Sequence, residues 1–434
     1  MCKIIKGVAI IFIAIILHPT VVLADESSQT INSDISTLDV SQQDFNTTPR
    51  AISGGTGTAN DPFLVSTIAD LKTALTANIS SGESSLYIKL TADIVYSDIP
   101  VTISKNTVLD GDNHYILYSG TNYTTAHFWA GASNLNITFR NIKYGNDAYP
   151  NNNYYGILYI GGSYNNINFV VENVDYNIQT GAQPFYANGQ TNTLTFKGKN
   201  NFKAVTSNGA SGEFAEGFTS INFSDDSQTT IYNDTAAATA LFWGPANQVI
   251  TVGQNALVDI STSKEYLSYN GNLTLKVLEN GLFKYRAISG TSHSTQTAAL
   301  KAVGTIAMEF SQDSIGHFTT DKNGFSGPNP TISVNSPNYI LFDASSSNKA
   351  VLSGLVPKFV RKDTDGNNYP INYLTKTGQA ELTPNVTPSQ TVSVSNANIK
   401  SGYSVAYTRA PRIMQLSGIP ETGTDVSKVS AQVA

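Results

Sequence analysis

The chain has 434 residues, of which 13% are charged and 40% hydrophobic, with a formal net charge of −6 and one cysteine. No basic cluster is present to track phosphates, which argues against nucleic acid as a partner, and the low charge with abundant Ser, Thr, Asn, Gly and Tyr favours strands and turns over long exposed helices. The lone Cys2 precedes the first apolar run, so a chain processed after that run has neither disulfide scaffolding nor thiol catalysis.

Residues 1–24 read as a signal peptide: Lys3 and Lys6, an apolar run from Val8 to Leu17, then the small-residue site Val22-Leu23-Ala24. The run is short for a bilayer, so the expectation is cleavage after Ala24, a secreted or cell-surface protein, and no transmembrane segment in the mature chain. Residues 25–49 are acidic and Ser/Thr-rich without a sustained period, and read as a flexible leader. Order is expected from residue 50. Gly54 to Val65 is a glycine turn entering a strand, and its glycines lack the Lys-Ser/Thr and following helix of a phosphate loop. Thr67 then stands as N-cap with Asp70 at the third helical position, and Ile68, Leu71 and Leu75 share one face. Strands are predicted at Leu86–Leu90, at Val101–Ile103, and on both sides of the turn between Val108 and Ile116.

From Leu194 to Phe342 one spacing recurs: two alternating apolar pairs eight residues apart. The copies are Leu194/Phe196 with Phe202/Ala204, Ile221/Phe223 with Thr229/Ile231, Ile250/Val252 with Val258/Ile260, and Leu275/Val277 with Phe283/Tyr285. A blurred copy at Met308, Phe310 and Phe318 precedes Ile332/Val334 with Ile340/Phe342, and looser copies begin at Ile137 and Ile167. Each pair places two side chains on one face of a strand, and turn residues such as Gly198 to Asn201, Asp225 to Ser227 and Gln254-Asn255 lie between the pairs. A single copy cannot bury its own pairs, so the copies must stack as an all-β solenoid. The seven steps from Ile137 to Ile332 average about 28 residues, which suits three short strands per coil. The amphipathic helix at Thr67 is then the cap over the open end of the stack.

The third strand is marked by an apolar or aromatic residue eight positions before the coil anchors: Trp129, Tyr159, Tyr186, Phe242 and Leu267, with Phe128, Leu158, Phe185, Leu241 and Tyr266 one step earlier. Successive strand side chains point to opposite faces, so one column must fill the core while the other presents rings outward. Trp243 is offset by one from this column. An outward row of Trp129, Tyr159, Tyr186 and Trp243, flanked by Asn151, Asn152, Asn153, Asn165, Gln183 and Asn188, has the flat rings and amides that a sugar requires. The alternative is a row covered by a loop or by the C-terminal segment.

The charged groups do not converge in the sequence. Asp225-Asp226 is the best acidic pair but falls in a turn. His114 and His127 show no partner carboxylate or second His at ligand spacing, and His317 lacks the flanking motif of a polygalacturonase. Asp363 to Asn368 starts like a calcium loop yet has Asn368 where glycine is required and Leu374 where the terminal carboxylate is required, so it reads as a hairpin turn at Asp365-Gly366 between Phe359-Val360 and Ile371-Tyr373. No catalytic residue, metal or cofactor is expected.

The Gly55-Thr56-Gly57-Thr58 opening with Asp61-Pro62-Phe63, the capping helix, the Leu109-Asp110-Gly111 turn and the coil spacing together resemble the pectate-lyase-like adhesive domain of Gram-positive surface proteins, over about residues 54–340. That resemblance implies a right-handed parallel β-helix with an adhesive and not a catalytic role. The expected organisation is a β-helix over 50–349, a β-rich cap or small module over 350–415, and a flexible tail over 416–434. Within the tail, Ile419 to Gly423 resembles a sortase motif, but the eleven residues after it supply neither an apolar span nor a basic end. The expected function is binding of a polysaccharide, glycoprotein or cell-wall component through the side face of the helix. A polysaccharide lyase or glycoside hydrolase on the same fold, and a structural spacer, are the alternatives.

Overall fold

The computed structural model describes residues 52, 54–97, 101–120, 126–151, 155–179, 183–188, 191–206, 212–235, 240–264, 266–269, 271–288, 303–320, 331–334 and 339–343, and four later strands. The expected signal peptide, leader and Asp365-Gly366 turn lie outside the described residues, as does the His127 side chain.

The described strands form three long sheets, of thirteen, twelve and seven strands, wound in the order first face, second face, third face and back to the first. On the first face every pairing from Phe63–Val65 through Lys358–Lys362 is parallel, one coil on the next. The protein is therefore a right-handed parallel β-helix, the sense that parallel crossovers adopt. The first-face core column runs Leu86, Thr107, Ile137, Phe169, Leu194, Ile221, Ile250, Leu275, Met308, Ile332, so the repeat starts four coils before Leu194, where its sequence signature becomes regular.

Two copies are displaced from the spacing expected of them. Ile137 pairs with Phe169, and Ile167 lies in the turn before that strand. On the second face Phe202 pairs with Ile231, so the equivalent of Thr229 is Asn200 and not Phe202. The segment expected to be a turn, Gly198 to Asn201, is strand from Lys199 onward. Asn200 tolerates this core position because its Oδ1 accepts from the Val174 N–H at 3.0 Å and its Nδ2 donates to the Lys197 carbonyl at 2.8 Å. The blurred copy at Met308 has a steric cause. Gly316 stands in the column of Thr229, Val258 and Phe283, and a Cβ there would lie 2.6 Å from the Phe310 ring, which occupies the space of the missing side chain.

Between the first and second faces, coils turn through a residue of positive φ at Asn141, Asn173, Asp226, Asn255, Asn280 and Asp313. Asn and Asp accept this backbone because their short side chains bond locally. Asn141 and Asn173 also bond to the preceding coil: Asn141 Nδ2 donates to Asp110 Oδ1 at 3.0 Å and Asn173 Nδ2 to Asn141 Oδ1 at 3.1 Å.

The helix Ile68–Thr76 follows Thr67, whose hydroxyl accepts from the Asp70 N–H at 3.1 Å. Leu71, Ala74 and Leu75 are buried, and Ile68 packs against the same core. The helix lies on the first strands of the stack and covers its apolar end. At the other end the parallel register gives way. Lys358–Lys362 pairs antiparallel with Asn368–Ile371, Tyr339–Asp343 with Ile413–Ser417, and the latter with Ser430–Gln432.

Candidate functional site

The third face is where the two predicted columns separate. The inner column runs Val101, Phe128, Leu158, Phe185, Ala215, Phe242, Ser268, and the outer one Thr102, Trp129, Tyr159, Tyr186, Glu216, Trp243, Tyr269. All inner side chains are buried, whereas Trp129 is 39% exposed and Tyr159, Tyr186, Glu216, Trp243 and Tyr269 are partly open to solvent. Trp129, Tyr159 and Tyr186 thus stand in the outward column, and Trp243, offset in the sequence, joins them. Phe242 and Leu267, expected in the same column, are core residues with no exposed surface.

The displacement again comes from turn length. Trp129 and Tyr186 lie eight residues before their first-face anchors, but Glu216 lies only five before Ile221, Trp243 seven before Ile250 and Tyr269 six before Leu275. After Glu216 the chain enters the next strand through Gly217, at φ +81°, where a Cβ would fall 1.5 Å from the Ala187 carbonyl oxygen. Only glycine permits so short a turn.

The rings form two groups. Tyr159 and Tyr186 stack at 4.8 Å and 5°, Trp129 lies 5.3 Å from Tyr159, and Tyr155 lies 5.0 Å from Tyr159 and 4.6 Å from Tyr186. Tyr155 reaches the row through a register shift in its strand. On the other side of Glu216, Trp243 lies 4.4 Å from Tyr269, which meets Tyr266 edge-on at 5.1 Å.

Glu216 was not singled out by the sequence, yet it interrupts the row at its centre. Its Oε2 accepts from Nε2 of Gln183 at 2.8 Å. Gln183, expected among the exposed amides, is instead 1% exposed. Burial pushes the Glu216 carboxyl up to about 7, the Gln183 bond opposes the rise, and the charge of Glu213 adds to it. Burial likewise raises Glu213, which its own backbone N–H and the Lys264 ammonium hold down. Lys264 is buried with Nζ donating to the Thr235 carbonyl at 2.8 Å. Burial, and then the negative charge of Glu216, raise Tyr155 and bring Tyr186 to about 12, so both phenols keep their protons and can donate. Of the remaining flanking amides, Asn165 and Asn151 are partly exposed and Asn188 is exposed, while Asn152 and Asn153 lie outside the described residues.

The other groups weighed for chemistry are structural. Asp225 and Asp226 cap the next coil, their Oδ1 atoms accepting from the Gln254 N–H at 2.8 Å and from Asn255 Nδ2 at 2.9 Å. His114 does have a carboxylate, Asp93, at 3.2 Å, brought to it from the preceding coil. Arg140 pairs with Asp110 at 2.8 Å. Among the described residues no group of three His, Cys, Asp or Glu side chains is arranged to hold a metal ion, and no helix is long and apolar enough to cross a membrane.

No family model and no curated protein matches the chain. Membership of the pectate-lyase-like adhesive family is therefore not shown. Two solved structures are similar in part. "L. reuteri 53608 SRRP" shares 15% identity at a TM-score of 0.39, over 68% of this chain and 95% of that one. "L. reuters 100-23 SRRP" shares 15% identity at a TM-score of 0.43, over 68% and 92%. At these values the likeness assigns no activity, and the fold stands on the strand pairings themselves.

Proposed function

We propose that this is an exported, surface-associated or secreted protein that binds carbohydrate, as a free polysaccharide or as part of a glycoprotein or cell wall, on the third face of its β-helix without transforming it. The observation that carries the reading is the continuous outward group of Trp129, Tyr155, Tyr159 and Tyr186, with ring centroids 4.6–5.3 Å apart. Flat rings meet the C–H faces of pyranoses, and phenols meet hydroxyls. Strand stacking repeats this surface about every 4.8 Å, a spacing that suits an extended polymer over a single small molecule. Glycan-array binding of the wild type beside Trp129→Ala, Tyr159→Ala, Tyr186→Ala and Trp243→Ala tests it. Each ring removed should weaken binding by about 1 kcal/mol, roughly five-fold, with the far-UV circular dichroism unchanged. Undiminished binding in all four variants would refute the aromatic face.

One observation favours a second reading, a polysaccharide-degrading enzyme. Glu213 and Glu216 interact electrostatically, and the Glu216 carboxyl holds its proton up to about 7, the property of a general acid. Release of reducing ends or unsaturated uronides by the wild type, abolished in Glu216→Gln, would establish that reading in place of the first.

A further inference from the structure

Resting on the carbohydrate reading of the third face, we infer that the notch at Glu216 seats a free ammonium group, so that the ligand is a glycan built from amino sugars whose amines are not acetylated. The geometry has three parts. First, among the described residues of the row Glu216 is the one carboxylate, the others being Thr102 and aromatic rings, and it lies in register between Tyr186 and Trp243. Each neighbour's strand is one spacing away, about 4.8 Å, a separation comparable to the roughly 6 Å within which a ring face attracts a cation. Second, the carboxylate accepts from a neutral amide, Gln183, and that side chain is buried. Third, the charged groups facing the notch from the elements around it favour a cation. Glu213, two residues before the Ala215-Glu216 strand, adds negative charge, and Tyr155 and Tyr186 are neutral phenols. The buried Lys264 acts on Glu213 and donates to the Thr235 carbonyl.

An N-acetyl group would bring a neutral amide and a methyl to this notch, and a uronic acid a third carboxylate beside Glu213 and Glu216. A free amine supplies the charge that a partly desolvated carboxylate lacks, and the rings on either side add cation–π attraction. The positive charge should also strip the proton from Glu216 as the ligand seats, a readout that ring stacking alone does not produce.

The test is calorimetric titration at pH 6 with three oligosaccharides of equal length: glucosamine, N-acetylglucosamine and galacturonic acid. The wild type should bind the glucosamine oligomer at least about ten-fold more tightly than the other two and release a proton on doing so, seen by repeating the titration in buffers of different ionisation enthalpy. Glu216→Gln should lose both the preference and the proton release while keeping the weaker binding to the acetylated oligomer. Equal or tighter wild-type binding of the acetylated or uronic oligomer, or an unaltered preference in Glu216→Gln, overturns the inference and leaves the carbohydrate reading intact. Absence of binding to all three, with no effect of Tyr159→Ala on any glycan, overturns both.

Discussion

Replacing Glu216 with Gln should change how stability depends on pH, because the folded protein holds a proton there that the unfolded chain has released. The carboxyl moves from 4.5 to about 7, chiefly through burial. A folded-state value above the unfolded one means that, between the two, the native state binds more protons, so stability is greatest below about 4.5 and falls as pH rises through 7. At about 1.36 kcal/mol per unit the full shift would amount to roughly 3 kcal/mol, and solvent screening at this partly open position reduces it to about 1–2 kcal/mol. Urea unfolding of the wild type at pH 5, 6, 7 and 8 should show that loss, while Glu216→Gln, which cannot ionise, should flatten the profile and be the more stable of the two at pH 8. A wild type equally stable at pH 5 and pH 8, or a variant retaining the same slope, would refute the desolvation of Glu216.

Two further substitutions test the frame that presents the site. Gly217→Ala should cost about 3 kcal/mol or more, since its φ of +81° is strained for any side chain and its Cβ would strike the Ala187 carbonyl. Gly82→Ala, at φ +88° with open space around it, should cost only about 1 kcal/mol, and equal shifts of the two urea midpoints would show that the close approach is absent. Thr67→Ala should cost about 1 kcal/mol by removing the bond to the Asp70 N–H, and Thr67→Ser should restore most of it; an unchanged midpoint in Thr67→Ala would refute the cap.

The amino-acid sequence by itself determined the architecture. Pairs such as Ile250/Val252 and Val258/Ile260 can be buried only by stacking, and the Thr67 cap with Leu71 and Leu75 marks a short helix at the open end. It also determined that adjacent columns on the third strand must face opposite ways, but that the column of Trp129, Tyr159 and Tyr186 is the outward one was decided by the stack. Register was decided only in three dimensions. The strands repeat, but the turns between them change length from coil to coil, so counting back eight residues led to Phe242 and Leu267 in the core when the outward residues were Trp243 and Tyr269. The same variation concealed Glu216, whose strand is only two residues long and ends at a glycine turn. Its neighbours in the row, Tyr186 and Trp243, are 30 residues before it and 27 after it in the chain. A carboxylate among aromatic rings is a property of the stack, formed by hydrogen bonds between coils, and no local stretch of sequence contains it.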